Sequence, residues 1–273
     1  MINIGNNEIV KIYIGSSEIA KVYSGMDEIY PVATDLVITK HNITTTSSAT
    51  RLLYSTTNIA KVYIDGTEQP SVSTGYTFST TGTHTVKFKL TDNTKINASQ
   101  FRGCNTITAA TLPDTITSIA TYAFYGTSLS EVNIPSGVSK INDFTFENCP
   151  LTSITIPDGV TSIGQYAFHG CTALTSVNIP DSVTSVGKQA FQNCSGLTSI
   201  TVGSGVTAFS GSCFENCSSL TEMTITATAP PVLWPNAINN TNDCPIYVPT
   251  ASVATYQAAT NWSNYATRIN PIT

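Results

Sequence analysis

Residues 151–171 read LTSITIPDGVTSIGQYAFHGC, and variants of this string recur on both sides of it at a nearly constant distance. Its most regular position is a phenylalanine, at spacings of 23, 22, 22, 23 and 23 residues: Phe101, Phe124, Phe146, Phe168, Phe191 and Phe214. A second apolar row keeps the same step: Leu112, Ile134, Ile156, Ile179, Val202 and Ile225. Self-similarity at this period is typical of a solenoid. The sequence therefore predicts a mainly β fold with six stacked coils of 22–23 residues.

Each coil has too few apolar residues to form a core by itself, so the core must form between stacked coils. Alternating apolar residues predict a short strand on one wall of the coil: Leu174, Val177 and Ile179. Proline follows four of the six strands and ends them, because it has no N–H to donate to a neighbouring strand. Four apolar residues at i, i+4, i+5 and i+8 predict a helical turn on the opposite wall: Ile163, Ala167, Phe168 and Cys171.

These residues resemble the BspA-like leucine-rich repeats of bacterial surface proteins. The shared pattern, L-T-S-I-T-I-P-x-x-V-T-S-I-G-x-x-A-F-x-x-C, is nearly complete between Leu151 and Cys171, and the repeats cover more than half of the chain. The resemblance implies a leucine-rich-repeat solenoid over residues 96–245. Residues 246–273 look like the C-terminal cap of such proteins, with a helix expected around 251–259.

Two further segments precede the repeats. Residues 1–33 form a ten-residue repeat of the type G-x-x-E-I-x-K-I-Y, which predicts short strands joined by tight turns. This segment resembles parts of phage tail and fibre proteins, so it is a candidate for docking to a phage particle or another surface assembly. Residues 34–95 contain five strand-like stretches and an Asp65-Gly66 hairpin signal, which together predict a small β-sandwich.

The composition narrows the possible classes of function. Charged residues are 11% of the chain, the net charge is −5 and no run of Lys and Arg occurs, so neither nucleic acid nor an anionic membrane surface is an expected partner. No apolar run is long enough to span a bilayer. A coat of Thr, Ser and Asn is common on extracellular and virion β-proteins. The sequence thus predicts an extracellular protein, virion-associated or on a bacterial surface, with no signal peptide in this chain.

No residue pattern predicts catalysis, a metal or a cofactor. Five cysteines stand three residues after a repeat phenylalanine, which predicts a buried row of free thiols and neither a disulfide framework nor a zinc site: Cys104, Cys149, Cys171, Cys194 and Cys217. The three histidines, His41, His84 and His169, lie in different segments and are expected in turns or at the surface. Motifs for nucleophilic, metal-dependent and nucleotide chemistry are absent.

The strand wall is the candidate binding face, because solenoids present their strands on an extended concave surface. Its outward positions can be read from the repeat: Glu131, Asn133, Ser153, Thr155, Ser176, Asn178, Ser199, Thr201, Glu222 and Thr224. These side chains are small and lack the Tyr, Trp and Arg of a tight interface. Two hypotheses remain open. The chain is an adhesion or host-recognition module for a cell-surface protein or glycan, or it is a structural spacer with no ligand of its own.

Overall fold

The computed structural model describes residues 36–44 and 46–272, together with four short strands nearer the N-terminus. These strands form two antiparallel pairs, β1 with β2 and β3 with β4, each joined by two residues: β1 (Tyr13–Ile14), β2 (Ser17–Glu18), β3 (Val22–Ser24) and β4 (Asp27–Ile29). Short strands are what the ten-residue repeat predicts, while the turns between them lie outside the described residues. The docking role assigned to residues 1–33 falls mostly outside the described residues.

The next segment builds an antiparallel sheet around β10, which pairs with β5 on one side and β7 on the other. The strands of this segment are β5 (Leu36–Ile43), β6 (Thr50–Arg51), β7 (Ile59–Ile64), β8 (Thr67–Glu68), β9 (Gly75–Tyr76) and β10 (Gly82–Leu90). Of these, β6 and β9 form a separate antiparallel pair. Asp65 and Gly66 join β7 to β8 with φ of 49° and 87°, as a two-residue hairpin turn requires. Val37, Val86 and Phe88 point into the core and are fully buried.

The predicted strand wall, called the sheet wall below, is present. Its strands are parallel from coil to coil: β12 (Ile107–Thr111), β14 (Glu131–Val132), β17 (Ser176–Ile179), β19 (Ser199–Val202), β21 (Glu222–Ile225), β23 (Ile246–Val248) and β24 (Ile269–Pro271). The residue in register with Ser199 is Ser176 on one side and Glu222 on the other, so equivalent positions of successive repeats lie side by side. The cap residues continue the stack through β23 and β24.

A second parallel sheet, which the sequence did not indicate, runs along another side of the solenoid. It has seven strands of two residues each: β11 (Lys95–Ile96), β13 (Ser118–Ile119), β15 (Lys140–Ile141), β16 (Ser162–Ile163), β18 (Ser185–Val186), β20 (Ala208–Phe209) and β22 (Val232–Leu233). In each strand the first side chain faces outward and the second is buried, as in Lys140 and Ile141. We call this side the second wall.

The helical turn predicted around Phe168 is wrong. Ile163 belongs to β16, and the residues after it form irregular turns. Tyr166 and Gly170 have φ of 55° and 69°, a left-handed conformation that interrupts any helix. The helical spacing of the apolar residues arises because this third side, called the turn side below, packs its phenylalanines and cysteines into the same core.

The core of the solenoid is a column of stacked rings. The repeat phenylalanines are fully buried, and neighbouring ring centroids lie 5.0–5.6 Å apart. Beside them the five predicted cysteines are buried and free, which confirms the thiol row. Cys171 and Cys194 each donate from Sγ to the carbonyl of the phenylalanine one coil earlier, over 3.3 and 3.2 Å. Burial raises the pKa of the Cys149 thiol to about 11.

The small sandwich expected over residues 34–95 is not a separate unit. β5 pairs antiparallel with β12, so a single six-stranded sheet runs from the N-terminal segment into the sheet wall of the first two coils. The rings of Phe88 and Phe101 meet edge to face with centroids 5.4 Å apart. The core is therefore continuous across residue 95.

The cap contains the predicted helix, α1 (Val253–Ala258), between two 3₁₀ helices, Thr250–Ser252 and Trp262–Arg268. Tyr256 and Trp262 are buried, and Trp262 donates from Nε1 to the Pro231 carbonyl over 2.7 Å. These two cap aromatics are thus core residues. Cys244, for which the sequence offered no partner, lies 3.4 Å from Nη2 of Arg268. Within the described residues, no helix is long and apolar enough to cross a membrane.

Candidate functional site

The ten predicted residues of the binding face all lie on the sheet wall and point away from the core. Eight of them are exposed, while Ser199 and Thr224 are half-buried. The buried residues that alternate with them belong to the core, so the period-two reading of each strand is confirmed. Whether this face binds anything remains a prediction.

One member of the face has a structural role. The Asn133 amide accepts from the N–H of Leu112 over 2.7 Å and donates to the Leu112 carbonyl over 2.8 Å. Beyond the end of β14, the Asn133 side chain thus takes the place of a neighbouring strand and pairs with the main chain of the preceding coil. Because it satisfies two main-chain groups, Asn133 is unsuitable as a probe of binding.

The sheet wall is interrupted at its third coil. β14 has two residues, the next coil has no strand over residues 153–156, and the regular four-residue strands begin only at β17. At the gap Val132, Ile134 and Ile154 are 7–9% exposed, whereas Ile200 in β19 is 1% exposed. A groove of about 470 Å³ lies here, with these apolar residues at its base and Lys40, Glu131 and Ser153 on its rim.

Coil length accounts for the position of this gap. Two residues separate Cys194 from Leu197 in a 23-residue coil, but only Pro150 separates Cys149 from Leu151. The coil that enters β14 has the same deletion. We attribute the splayed strands to this missing residue, since a shorter turn offsets the strand that follows it. The spacing of 22 was visible in the sequence, but its consequence for the sheet wall was not inferred.

The turn side carries a second candidate surface, an aromatic ladder of Tyr122, Phe144 and Tyr166. The rings stack with centroids 4.5 and 4.9 Å apart, and the Arg102 guanidinium lies 5.1 Å from the Tyr122 ring. All three aromatic residues have φ between 55° and 59°, which is unusual for bulky side chains. The rings are half-buried and face one another, so they expose their edges and not their faces.

His169 stands at the end of this ladder. Its side chain is 20% exposed, so His169 is more buried than the surface position that the sequence predicted. Its Nδ1 lies 3.3 Å from Oε1 of Glu147 yet makes no hydrogen bond within the described residues. Burial lowers the pKa of His169 and raises the pKa of Glu147, so both groups are shifted towards their neutral forms.

The other two histidines are buried, so their predicted surface placement is wrong. His41 is fully buried, with Nε2 2.8 Å from the Thr39 hydroxyl and Nδ1 3.0 Å from the Thr106 hydroxyl. His84 is 8% exposed and its Nδ1 lies 2.6 Å from Oδ2 of Asp65. The sequence did not reveal these contacts because Thr106 and Asp65 lie far from His41 and His84 along the chain. Among the described residues, no three His, Cys, Asp or Glu side chains converge to hold a metal ion.

Comparison with known proteins gives both a family match and structural likenesses. The profile of the BspA type leucine-rich repeat region matches in six copies, over residues 71–150 and 139–241. A leucine-rich repeat protein from Bacteroides ovatus aligns at 25% identity and a TM-score of 0.47, over 63% of this chain and 45% of its own. A leucine-rich repeat protein from T. pallidum aligns at 30% identity and a TM-score of 0.46, over 48% of this chain and 64% of its own.

A third solved structure, the pneumococcal vaccine antigen PcpA, aligns at 19% identity and a TM-score of 0.51, over 67% of this chain and 44% of its own. At that identity the likeness is one of fold. The chain thus spans between 44% and 64% of the length of these three solved proteins. A comparison with curated proteins found no significant match.

Proposed function

Because the chain belongs to the family defined by the BspA type leucine-rich repeat region, we propose that it is a non-enzymatic adhesion module. It is displayed on a bacterial surface or on a phage particle and binds a cell-surface protein or glycan through the sheet wall. Residues 1–33 attach it to the particle or surface assembly in this proposal. The family has a non-catalytic repeat fold, so its contribution is an extended surface.

The groove at the interrupted third coil is the observation that carries the proposal. Elsewhere the sheet wall is a regular sheet of small polar side chains, which gives a partner little to bury. At the groove, Val132, Ile134 and Ile154 provide an apolar base, while Lys40 and Glu131 provide charges of both signs on the rim. A small apolar base with a few polar groups around it is the usual composition of a recognition site.

The test uses the full chain, since the core is continuous across residue 95. Labelled protein is titrated onto bacterial cells and onto arrays of their purified glycans and surface proteins. Ser153→Trp places a bulky uncharged side chain on the rim of the groove and is expected to weaken binding at least tenfold. Ser185→Trp is the matched control, because Ser185 is also exposed but lies on the second wall. Equal thermal unfolding of the two variants confirms that both are folded.

The competing function, a spacer without a ligand, predicts a different result. In that case the wild-type chain binds none of the cells or arrays but is still incorporated into particles or surface assemblies. Equal weakening by Ser153→Trp and Ser185→Trp would also contradict the proposal, because it would place binding away from the groove.

A further inference from the structure

The N-terminal sheet gathers lysines that are scattered in the sequence. Lys89 of β10 stands directly opposite Lys61 of β7, and Lys87 lies two residues before Lys89 on the same face. Lys40 of β5 stands opposite Thr85 of β10 and therefore also faces the same side. We call this set of four lysines the lysine face. It adjoins the sheet wall, because Lys40 is in register with Ala109 of β12 and lines the groove.

These lysines are close together, and three of the four have no ion pair within the described residues. Residues two apart on a strand are separated by about 7 Å, and neighbouring strands by about 4.8 Å. Like charges directly opposite each other destabilise a sheet. Glu68 neutralises Lys61, with Nζ 3.0 Å from Oε1. For Lys40, Lys87 and Lys89, the described part of the chain supplies no ion pair.

Protection of a sheet edge does not explain the cluster. Lysines on edge strands keep sheets from associating, but β5 and β10 are both interior strands with neighbours on each side. A local excess of positive charge is also unexpected in a chain with a net charge of −5. The lysine face thus incurs an electrostatic cost within the fold, and a bound anion would remove that cost.

We propose that the lysine face binds a linear acidic glycan, carrying sulfate or carboxylate groups, which continues along the sheet wall. The lysines pair with the acidic groups. Past them, Asn42, Thr111, Thr155 and Asn178 offer exposed amides and hydroxyls to the sugar hydroxyl groups. This inference rests on the proposed function and narrows it by naming the class of partner. It also corrects the expectation that no lysine cluster exists, since strand pairing creates one.

A glycan fits this surface better than a nucleic acid does. Proteins that bind single-stranded nucleic acids place aromatic rings against the bases. Among the described residues beside the four lysines, one is aromatic, namely Tyr63, which is in register with Lys87. Oligonucleotide binding is therefore the contrary outcome to test.

The experiment titrates the full chain with heparin, with uncharged dextran and with a single-stranded oligonucleotide in 0.15 M salt. Wild-type protein is expected to bind heparin and not dextran. The triple variant Lys40→Gln, Lys87→Gln, Lys89→Gln is expected to bind heparin at least tenfold more weakly, with a log–log salt slope reduced by about one per lysine in contact. The double variant Lys140→Gln, Lys188→Gln removes exposed lysines outside the face and is expected to behave as wild type.

Several results would overturn the inference. They are no heparin binding by the wild-type chain, equal weakening by the triple and double variants, and oligonucleotide binding as tight as heparin binding. The Ser153→Trp variant separates this failure from failure of the proposed function. If Ser153→Trp abolishes cell binding while heparin never binds, the groove stands as the adhesion site and the acidic glycan is rejected.

Discussion

At the scale of single residues, His41 is a titratable group buried at the junction between the N-terminal sheet and the repeats. The side chain is buried where β5 meets β12, and burial, with a smaller contribution from the charge of His84, lowers the pKa of His41 to about 4. The neutral ring satisfies both nitrogens through Thr39 and Thr106. Protonation therefore competes with the packing of this junction.

The stability of the fold should accordingly fall between pH 6.5 and pH 4. In this window the unfolded chain protonates His41 and the folded chain does not, so unfolding takes up a proton and is favoured as the pH drops. A difference of about 2.5 pKa units corresponds to roughly 3 kcal/mol. His41→Gln removes the titration, so its free energy of unfolding, measured with denaturant at several pH values, should depend less on pH over this range.

His84 contributes with the opposite sign and provides the control. The hydrogen bond to Asp65 raises the pKa of His84. The stability that this bond adds to the fold is therefore fully present below pH 6.5 and is lost as the pH rises through the pKa of the folded state. Asp65→Asn removes that contribution, so the free energy of unfolding should depend less on pH above pH 6.5, while its fall between pH 6.5 and pH 4 stays as in wild type. Identical pH dependence in wild type and His41→Gln would show that His41 does not control acid stability.

At the scale of elements, the length of one turn determines where the sheet wall opens. Replacing Pro150 by Ser-Gly gives the third coil the same Cys-Ser-Gly-Leu sequence as Cys194–Leu197. The added residue should let residues 153–156 pair with their neighbours as a regular strand and cover Ile154. Amide hydrogen exchange is expected to slow by tenfold or more at these positions, corresponding to about 1.4 kcal/mol of added protection. Unchanged exchange would mean that coil length does not cause the gap.

The same coils show which elements a sequence can reveal. The Phe and Cys rows were predictable because each coil repeats the same side chain at the same depth. The second wall was not, because a two-residue strand such as Lys140–Ile141 contains one outward and one inward residue and has no periodicity to detect. The helical turn was mispredicted because spacing alone does not report the positive φ of Tyr166. The lysine face depends on pairing between distant strands, which spacing along the chain does not contain.

At the scale of the whole molecule, the repeats and the N-terminal sheet form one folded unit. A strand edge is covered at each end of this unit, but by different contacts. At the C-terminal end, the side chains of Asn261 and Trp262 donate to the carbonyls of Leu233 and Pro231. These hydrogen bonds occupy the free edge of β22. At the other end, β5 covers the free edge of β12 with an antiparallel strand. Coils that expose such edges associate with one another, so both closures are needed for a soluble stack.

Truncation tests this dependence directly. A chain of residues 96–273 keeps every repeat but loses β5, β7 and β10, which exposes the edge of β12 and removes Phe88 from its contact with Phe101. Losing such a buried aromatic costs roughly 3–5 kcal/mol, so its Tm should fall by roughly 10 °C. It should also self-associate in light scattering. A chain of residues 36–273 keeps the junction and should match the full chain in Tm and in the mass measured by light scattering. If 96–273 were monomeric and equally stable, the solenoid would be an independent domain and the N-terminal sheet would be free to serve binding alone.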